Sequence, residues 1–159
     1  MQERANDATA VTESETADRT LVIERVFRAP PDKVFRAWTD PEILVRWWGP
    51  EGMHIPDCEM DVRPGGAWRT TMANKDGDTY TVAGEYREIA APNRLVMTWG
   101  WIQDDGRRGH ETEVVVTFED VPHGTRMRLV QSVFQDAEQR NSHEMGWQST
   151  LNDLEKVLG

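Results

Sequence analysis

The stretch "DAEQRNSHEMGWQSTLNDLEKVLG", residues 136 to 159, decides how the chain is read. It has no proline, and His143, Trp147, Leu151, Leu154 and Leu158 recur at intervals of three and four. That spacing puts them on one side of a helix, with polar residues filling the other. One long amphipathic helix is predicted from about Asp136 onward. A helix with an apolar stripe needs a second apolar surface to cover it. The rest of the chain has to supply that surface.

The middle of the sequence does so with strands. "MHIPDCEMDV" and "GAWRTTM" read as strands on either side of "RPGG", and "NKDGDT" is a hairpin turn signal. "YTVAGEYREI" and "RLVMTWGW" flank the bend "AAPN"; "TEVVVTF" and "TRMRLVQSVF" flank "EDVPHG". "IQDDGRRGHE" is a long polar hairpin loop. Alternation puts Val114, Val116 and Phe118 on one face, and separates Met127, Leu129 and Gln131 from Arg126, Arg128 and Val130. Strands joined by hairpins imply an antiparallel meander. A further strand, "LVIERVF", begins just after Thr20.

Between that first strand and the meander lie two short helices rich in indole. "RAPPDKVFRAW" starts at Pro31, which suits a first helical turn because its missing N–H is not needed there. "WTDPEILVRWWGP" offers Asp40 as an N-cap, Pro41 at the first helical position and Glu42 near the positive end. Gly49 suits the left-handed position that ends such a helix, and Pro50 blocks continuation. Helices this short are marginal alone, so Trp38, Trp47 and Trp48 must anchor them against something larger. The predicted fold class is α+β: a curved antiparallel sheet of about six to seven strands around the long C-terminal helix, with two short helices after the first strand. A sheet curled around one helix leaves a gap at one end, which is the physical origin of a cavity.

Bulk properties narrow the function classes. The chain has 159 residues, enough for one domain, and a formal net charge of −10. Its Lys and Arg are scattered, so nucleic acid and anionic membrane are poor partners. No apolar run is long enough to span a bilayer. A single cysteine, Cys58, forbids an intrachain disulfide and suits a reducing cytoplasm. Residues 1 to 19 lack a basic start and an apolar stretch; their polar, acidic composition predicts a disordered tail and no secretory signal. The expected division is thus a tail over 1–19 and one domain over 20–159. The composition is compatible with a homodimer.

The segments "APPDKVFRAWTDPEILVRWWGP", "DVRPGGAWR", "GEYREIAAPNRLVMTW", "VVVTFED" and "HEMGWQSTLNDL", in that order, carry a family likeness. They resemble bacterial proteins similar to the C-terminal domain of the activator of heat-shock-protein-90 ATPase, within the START-like (SRPBCC) superfamily. The resemblance implies a helix-grip fold with a deep hydrophobic cavity. It does not carry an activity, because one fold hosts many functions. The eukaryotic activator grips its chaperone through a large additional N-terminal domain. Only a short tail precedes the domain in this sequence, which argues against a chaperone partner.

Two readings of the aromatic residues stand. Trp38, Trp47, Trp48 and Trp147 can simply fill the core. Alternatively Trp48, Trp99, Trp101 and Trp147 reach a cavity wall, where indole offers large area and one polar N–H. Trp99 and Trp101 share a strand face with Met97; Tyr86 joins from the neighbouring strand and Phe118 from the next, so all three are candidate ligand contacts. Gly84 beside Tyr86 leaves room for a bulge or a close approach. His143 lies one turn before Trp147 and could hydrogen-bond a ligand or act as an acid or base, which makes it a weak catalytic candidate against the default of a satisfied histidine. Gly146 between them costs helix stability, so it is expected to admit close packing or a ligand. "HEMGW" has Trp147 where a zinc helix needs its second histidine, so no metal is expected. No cofactor motif is present.

Three function classes follow. The first is a binding protein for an apolar or aromatic small molecule. The second is an enzyme, such as a cyclase, dehydratase or hydrolase, acting on a ligand in the same cavity. The third is an accessory module for a chaperone or regulator. Cys58 is flanked by Asp57 and Glu59, which disfavour a thiolate. Arg63 and Arg69 are expected to pair with Asp61 or Glu59, and Asp104 and Asp105 read as turn residues.

Overall fold

A computed structural model describes residues 19 to 159. The tail expected over residues 1 to 19 therefore lies, except for Arg19, outside the described residues. In chain order the elements are β1 (Leu21–Phe27), α1 (Pro31–Thr39), α2 (Pro41–Leu44), β2 (His54–Met60), β3 (Ala67–Ala73), β4 (Thr79–Ala90), β5 (Arg94–Trp101), β6 (Thr112–Val121), β7 (Gly124–Ser132) and α3 (Ala137–Leu158). The strands form one antiparallel sheet in the order β1-β7-β6-β5-β4-β3-β2. Six strands follow one another as a meander, and β1 closes the far edge against β7. This is the α+β helix-grip arrangement, with α3 held against the curved sheet. Register shifts between Tyr86 and Glu88 on β4, and between His54 and Asp57 on β2, supply extra twist at one end.

The short helices form for the reasons the sequence suggests. Pro31 opens α1, and Val34, Phe35, Ala37 and Trp38 face inward. The Asp40 carboxylate accepts a hydrogen bond from the Glu42 N–H at 3.0 Å and caps α2. This helix is shorter than the sequence implies: it ends at Leu44, and the chain tightens into Arg46 N–H to Ile43 O (3.0 Å) and Trp47 N–H to Leu44 O (3.2 Å). The cause is geometric. Trp47 and Trp48 are adjacent, yet both are buried. Their indoles run to different partners, Trp47 Nε1 to Ala37 O (3.0 Å) and Trp48 Nε1 to Thr70 Oγ1 (2.9 Å). Gly49 then takes φ +89°, the left-handed position expected of it.

Helix α3 is capped by Asp136, whose carboxylate accepts from the Gln139 N–H at 2.8 Å. Its inward face carries Trp147, Thr150, Leu151, Leu154 and Leu158. Lys33 of α1 donates to the Leu158 carbonyl at 3.0 Å, fixing the helix end. Two polar residues on inward strand positions also reach α3. Arg25 of β1 donates to Asn152 Oδ1 (2.9 Å) and Gln148 Oε1 (2.6 Å). Gln131 of β7, wholly buried, accepts from Trp147 Nε1 (2.8 Å) and donates to Thr112 Oγ1 (2.9 Å). The outer sheet face is a field of exposed ion pairs, among them Arg94–Glu88, Arg126–Glu119 and Arg128–Glu24, each worth little alone.

All seven tryptophans touch in one cluster. Trp48 meets Trp38, Trp47, Trp68, Trp99 and Trp147 at centroid distances of 5.4 to 6.3 Å. Trp101 joins through Trp99 at 5.8 Å. The cluster binds α1, the turn after α2, β3, β5 and α3 to one another.

Replacing Gln131 by alanine leaves the buried Trp147 N–H without its acceptor and takes one of two partners from the Thr112 hydroxyl, which still donates to Trp99 O at 3.4 Å. Each orphaned buried group costs about 1–3 kcal/mol. Urea unfolding of Gln131→Ala is therefore expected to show a loss of about 2 kcal/mol or more; a loss below about 0.5 kcal/mol would show that the network does not hold α3. Asp40→Ala, which removes the α2 cap and an exposed ion pair with Arg36, is expected to cost about 1 kcal/mol in the same assay.

Candidate functional site

A hollow of about 350 Å³ opens between α3, β5 and the turn after α2. Its walls come from Trp99 and Trp101 of β5, Trp48, Gly49 and Pro50 of the turn, and Met72 and Tyr80 of the β3–β4 hairpin. The helix contributes Gln139, Ser142, His143, Gly146, Trp147 and Thr150. These six recur at helical intervals of three, one, three, one and three, so they form a second stripe beside the leucines. The leucine stripe enters the core and this one faces the hollow.

Trp48, Trp99, Trp101, His143 and Trp147 are thus brought together at one place. Tyr86, Met97 and Phe118 do not line it. All three are buried, at 2%, 4% and 1% exposure, and each has a packing role instead. Tyr86 is fastened to the "RPGG" turn, its carbonyl accepting from Gly65 N–H (2.7 Å) and its N–H donating to Gly66 O (2.8 Å). Met97 lies opposite Tyr86, two residues before Trp99 on β5. Phe118 packs edge-on against Phe35 of α1 at 5.4 Å. Gly84 is required by a close approach: a Cβ there would meet the Thr98 carbonyl oxygen at 1.9 Å. That same oxygen accepts from Trp68 Nε1 at 3.2 Å.

The wall residues that sequence reasoning passed over are Tyr80, Met72, Gly49, Pro50, Gln139, Ser142 and Thr150. Gln139, Ser142 and Thr150 carry a readable signal, since they continue the spacing of His143 and Trp147. Met72 and Tyr80 are cross-strand partners, visible only once the hairpin register is known.

His143 has both ring nitrogens engaged. Nδ1 lies 2.7 Å from the Gln139 carbonyl oxygen, which can only accept, so Nδ1 carries the proton. Nε2 then accepts from Trp101 Nε1–H at 2.9 Å. Burial pushes the imidazole below its ordinary value, and the Gln139 carbonyl partly opposes that by favouring the charged ring. Protonating Nε2 would also set two N–H donors against each other. The ring is therefore neutral near pH 7, packed against Phe134 (4.8 Å), Trp101 (5.9 Å) and Trp99 (6.2 Å). Gly146 is not forced by packing: a Cβ there would only touch Pro50 Cγ at 3.7 Å.

The other conspicuous groups are occupied structurally. Arg63 pairs with Asp61 at 2.8 Å, and Arg69 with Asp57 (3.0 Å) and Glu59 (3.3 Å). Burial, then Asp57 and Glu59, raise the Cys58 thiol above its usual range, so it is held protonated. Asp105 caps its loop by accepting from the Arg107 N–H at 2.9 Å. A shallow groove of about 500 Å³ crosses the outer face at Glu59, Arg69, Glu85 and Arg108. It is larger, but its charges are already neutralised, Arg108 by a two-pronged pair with Glu85. Among the described residues no group of three or more His, Cys, Asp or Glu is placed to hold a metal ion, and no helix is long and apolar enough to cross a membrane.

The model of the family described as activator of Hsp90 ATPase homolog 1-like protein matches residues 28–159. Among solved structures, the chain is 37% identical to an AHSA1 protein from Silicibacter pomeroyi, with a TM-score of 0.81 over 87% of this chain and 96% of that one. A protein from Nitrosomonas europaea is 29% identical, with a TM-score of 0.76 over 89% and 95%. One from Chromobacterium violaceum is 28% identical, with a TM-score of 0.78 over 88% and 96%. No curated protein matches the chain. Fold, motif order and family match agree, and the chain belongs to the activator of Hsp90 ATPase homolog 1-like family, with a START-like helix-grip fold.

Proposed function

We propose that this protein binds a small apolar or aromatic molecule in the hollow between β5 and α3. The observation that carries the reading is the wall itself. Trp48, Trp99, Trp101 and Trp147 converge on one opening, and the polar groups beside them carry no formal charge. About 350 Å³ lies at the lower end of the range that small-molecule sites occupy. Indoles here are held rigidly by their own contacts, so a ligand ordering against them loses little additional freedom.

An enzyme acting in the same hollow needs a group free to exchange a proton. His143 offers none until Trp101 lets go of Nε2, and beside it the wall has only the hydroxyls of Tyr80, Ser142 and Thr150, with no carboxylate, lysine or thiol to take up their protons. Binding without turnover therefore fits the chemistry better.

Tryptophan emission gives the direct test, since the reporter rings are the wall. A screen of small aromatic and apolar compounds is expected to quench or shift emission saturably; a flat response across the screen would remove this reading. Gly146→Leu, which places a side chain inside the hollow, is expected to abolish that response while α3 stays folded. Gly146→Ala is expected to stabilise the protein by up to about 1 kcal/mol, since helix propensity improves and the methyl meets only Pro50.

The histidine makes a separate prediction. Its folded value lies below the ordinary 6.5, so the unfolded chain takes up the proton first as pH falls. The stability contributed by neutral His143 is full above about pH 6.5 and declines as pH drops through the lower folded value. An NMR titration of the His143 ring is expected to give a midpoint below 6.5, rising in Trp101→Phe, which lacks the N–H that favours the neutral ring. A midpoint at or above 6.5 in the parent protein would contradict a buried ring whose Nε2 accepts from Trp101.

A further inference from the structure

The wall chemistry goes beyond "apolar" and points to a charge preference, an inference that rests on the binding role just proposed. The decisive feature is where the indole N–H groups go. Trp48 Nε1–H donates to Thr70 (2.9 Å), Trp101 Nε1–H to His143 (2.9 Å) and Trp147 Nε1–H to Gln131 (2.8 Å). The fourth wall indole, Trp99, has its Nε1 fully buried within the protein. None of the four therefore presents its N–H to a ligand. What the rings retain is their π-system, whose faces are electron-rich.

The remaining polar wall groups, Tyr80, Gln139, Ser142 and Thr150, are uncharged. No lining residue carries a positive charge that could hold a carboxylate or phosphate, and His143 is neutral with its Nε2 lone pair accepting from Trp101 Nε1–H. An anion entering this hollow would lose its water and find no counter-charge. A compact metal ion or primary ammonium would lose as much, since the wall holds no carboxylate either. A cation whose charge is spread over methyl or aryl groups is different. It sheds water more easily and is attracted by ring faces. The net charge of −10 further raises the local concentration of cations around the protein.

We propose that the hollow selects a small organic cation of the quaternary ammonium or aryl-ammonium class, held by cation–π contact with Trp48, Trp99, Trp101, Trp147 and Tyr80. Three probes built on one benzyl group separate the terms: benzyltrimethylammonium, neopentylbenzene (its uncharged isostere with carbon in place of nitrogen) and the smaller anion phenylacetate. Affinities are read from tryptophan emission on the intact protein and on Gly146→Leu. The titrations use about 0.5 M salt, where attraction to the acidic surface is screened.

The expected result is that the ammonium binds roughly fivefold or more tighter than its carbon isostere, with phenylacetate weakest, and that Gly146→Leu loses ammonium binding. Equal or tighter binding of the isostere or of phenylacetate would overturn the charge preference and leave the binding role standing. Ammonium binding that persists in Gly146→Leu would place the cation elsewhere and overturn the proposal too. No response to benzyltrimethylammonium would overturn this proposal, and the wider screen of apolar and aromatic compounds would then decide the binding role.

Discussion

The contact on which the rest of this structure depends is Trp48 at the centre of the indole cluster. It is delivered by a turn too short to be stable alone, and its N–H is fastened to Thr70 on β3. Around it stand Trp38 of α1, Trp68 of β3, Trp99 of β5 and Trp147 of α3. One ring therefore ties the helical cap, the sheet and the long helix together. The same ring forms part of the hollow, so the core and the site share a wall. A ligand resting there touches residues that cannot yield without loosening the fold, which favours a pre-formed site over one made by rearrangement.

Polar groups inside this cluster are handled in two ways. Most are paired with high economy: Trp147 with Gln131, Gln131 with Thr112, Trp101 with His143. Two are not. The Nε1 atoms of Trp38 and Trp99 are buried with no hydrogen-bond acceptor among the described residues. Their rings lie among other indoles, Trp38 against Trp47 at 4.9 Å and Trp99 against Trp147 at 5.3 Å. Ring contacts of this kind contribute about 0.5–1.5 kcal/mol each, enough to offset part of the cost of an unpaired donor.

Much of this was legible from residue spacing. Periods of two and of three to four put Trp99 and Trp101 on one strand face and His143 and Trp147 on one helix face, and those faces meet. Spacing identifies a face, however, and not the distance along it. Tyr86, Met97 and Phe118 have the right alternation but lie deeper, where the "RPGG" turn and Phe35 already fill the space. Tyr80 and Met72 reach the hollow because a hairpin register sets them opposite each other, and register is a pairing property that no single strand displays. The end of α2 at Leu44 was equally hidden, since it follows from two neighbouring indoles needing different partners. Asp40, Gly49 and Asp136 were readable because capping and positive φ depend on local chemistry alone.

The central claim is that the space between β5 and α3 is a real, indole-walled vacancy and not room into which side chains settle. Crystallography under xenon pressure addresses this most directly, because xenon occupies apolar voids without requiring a known ligand. The account predicts a xenon atom between Trp99, Trp147 and Gly146, with the Trp101–His143 hydrogen bond intact. Tyr80, Trp101 or Met72 folded inward to fill that volume, with no xenon bound, would contradict it.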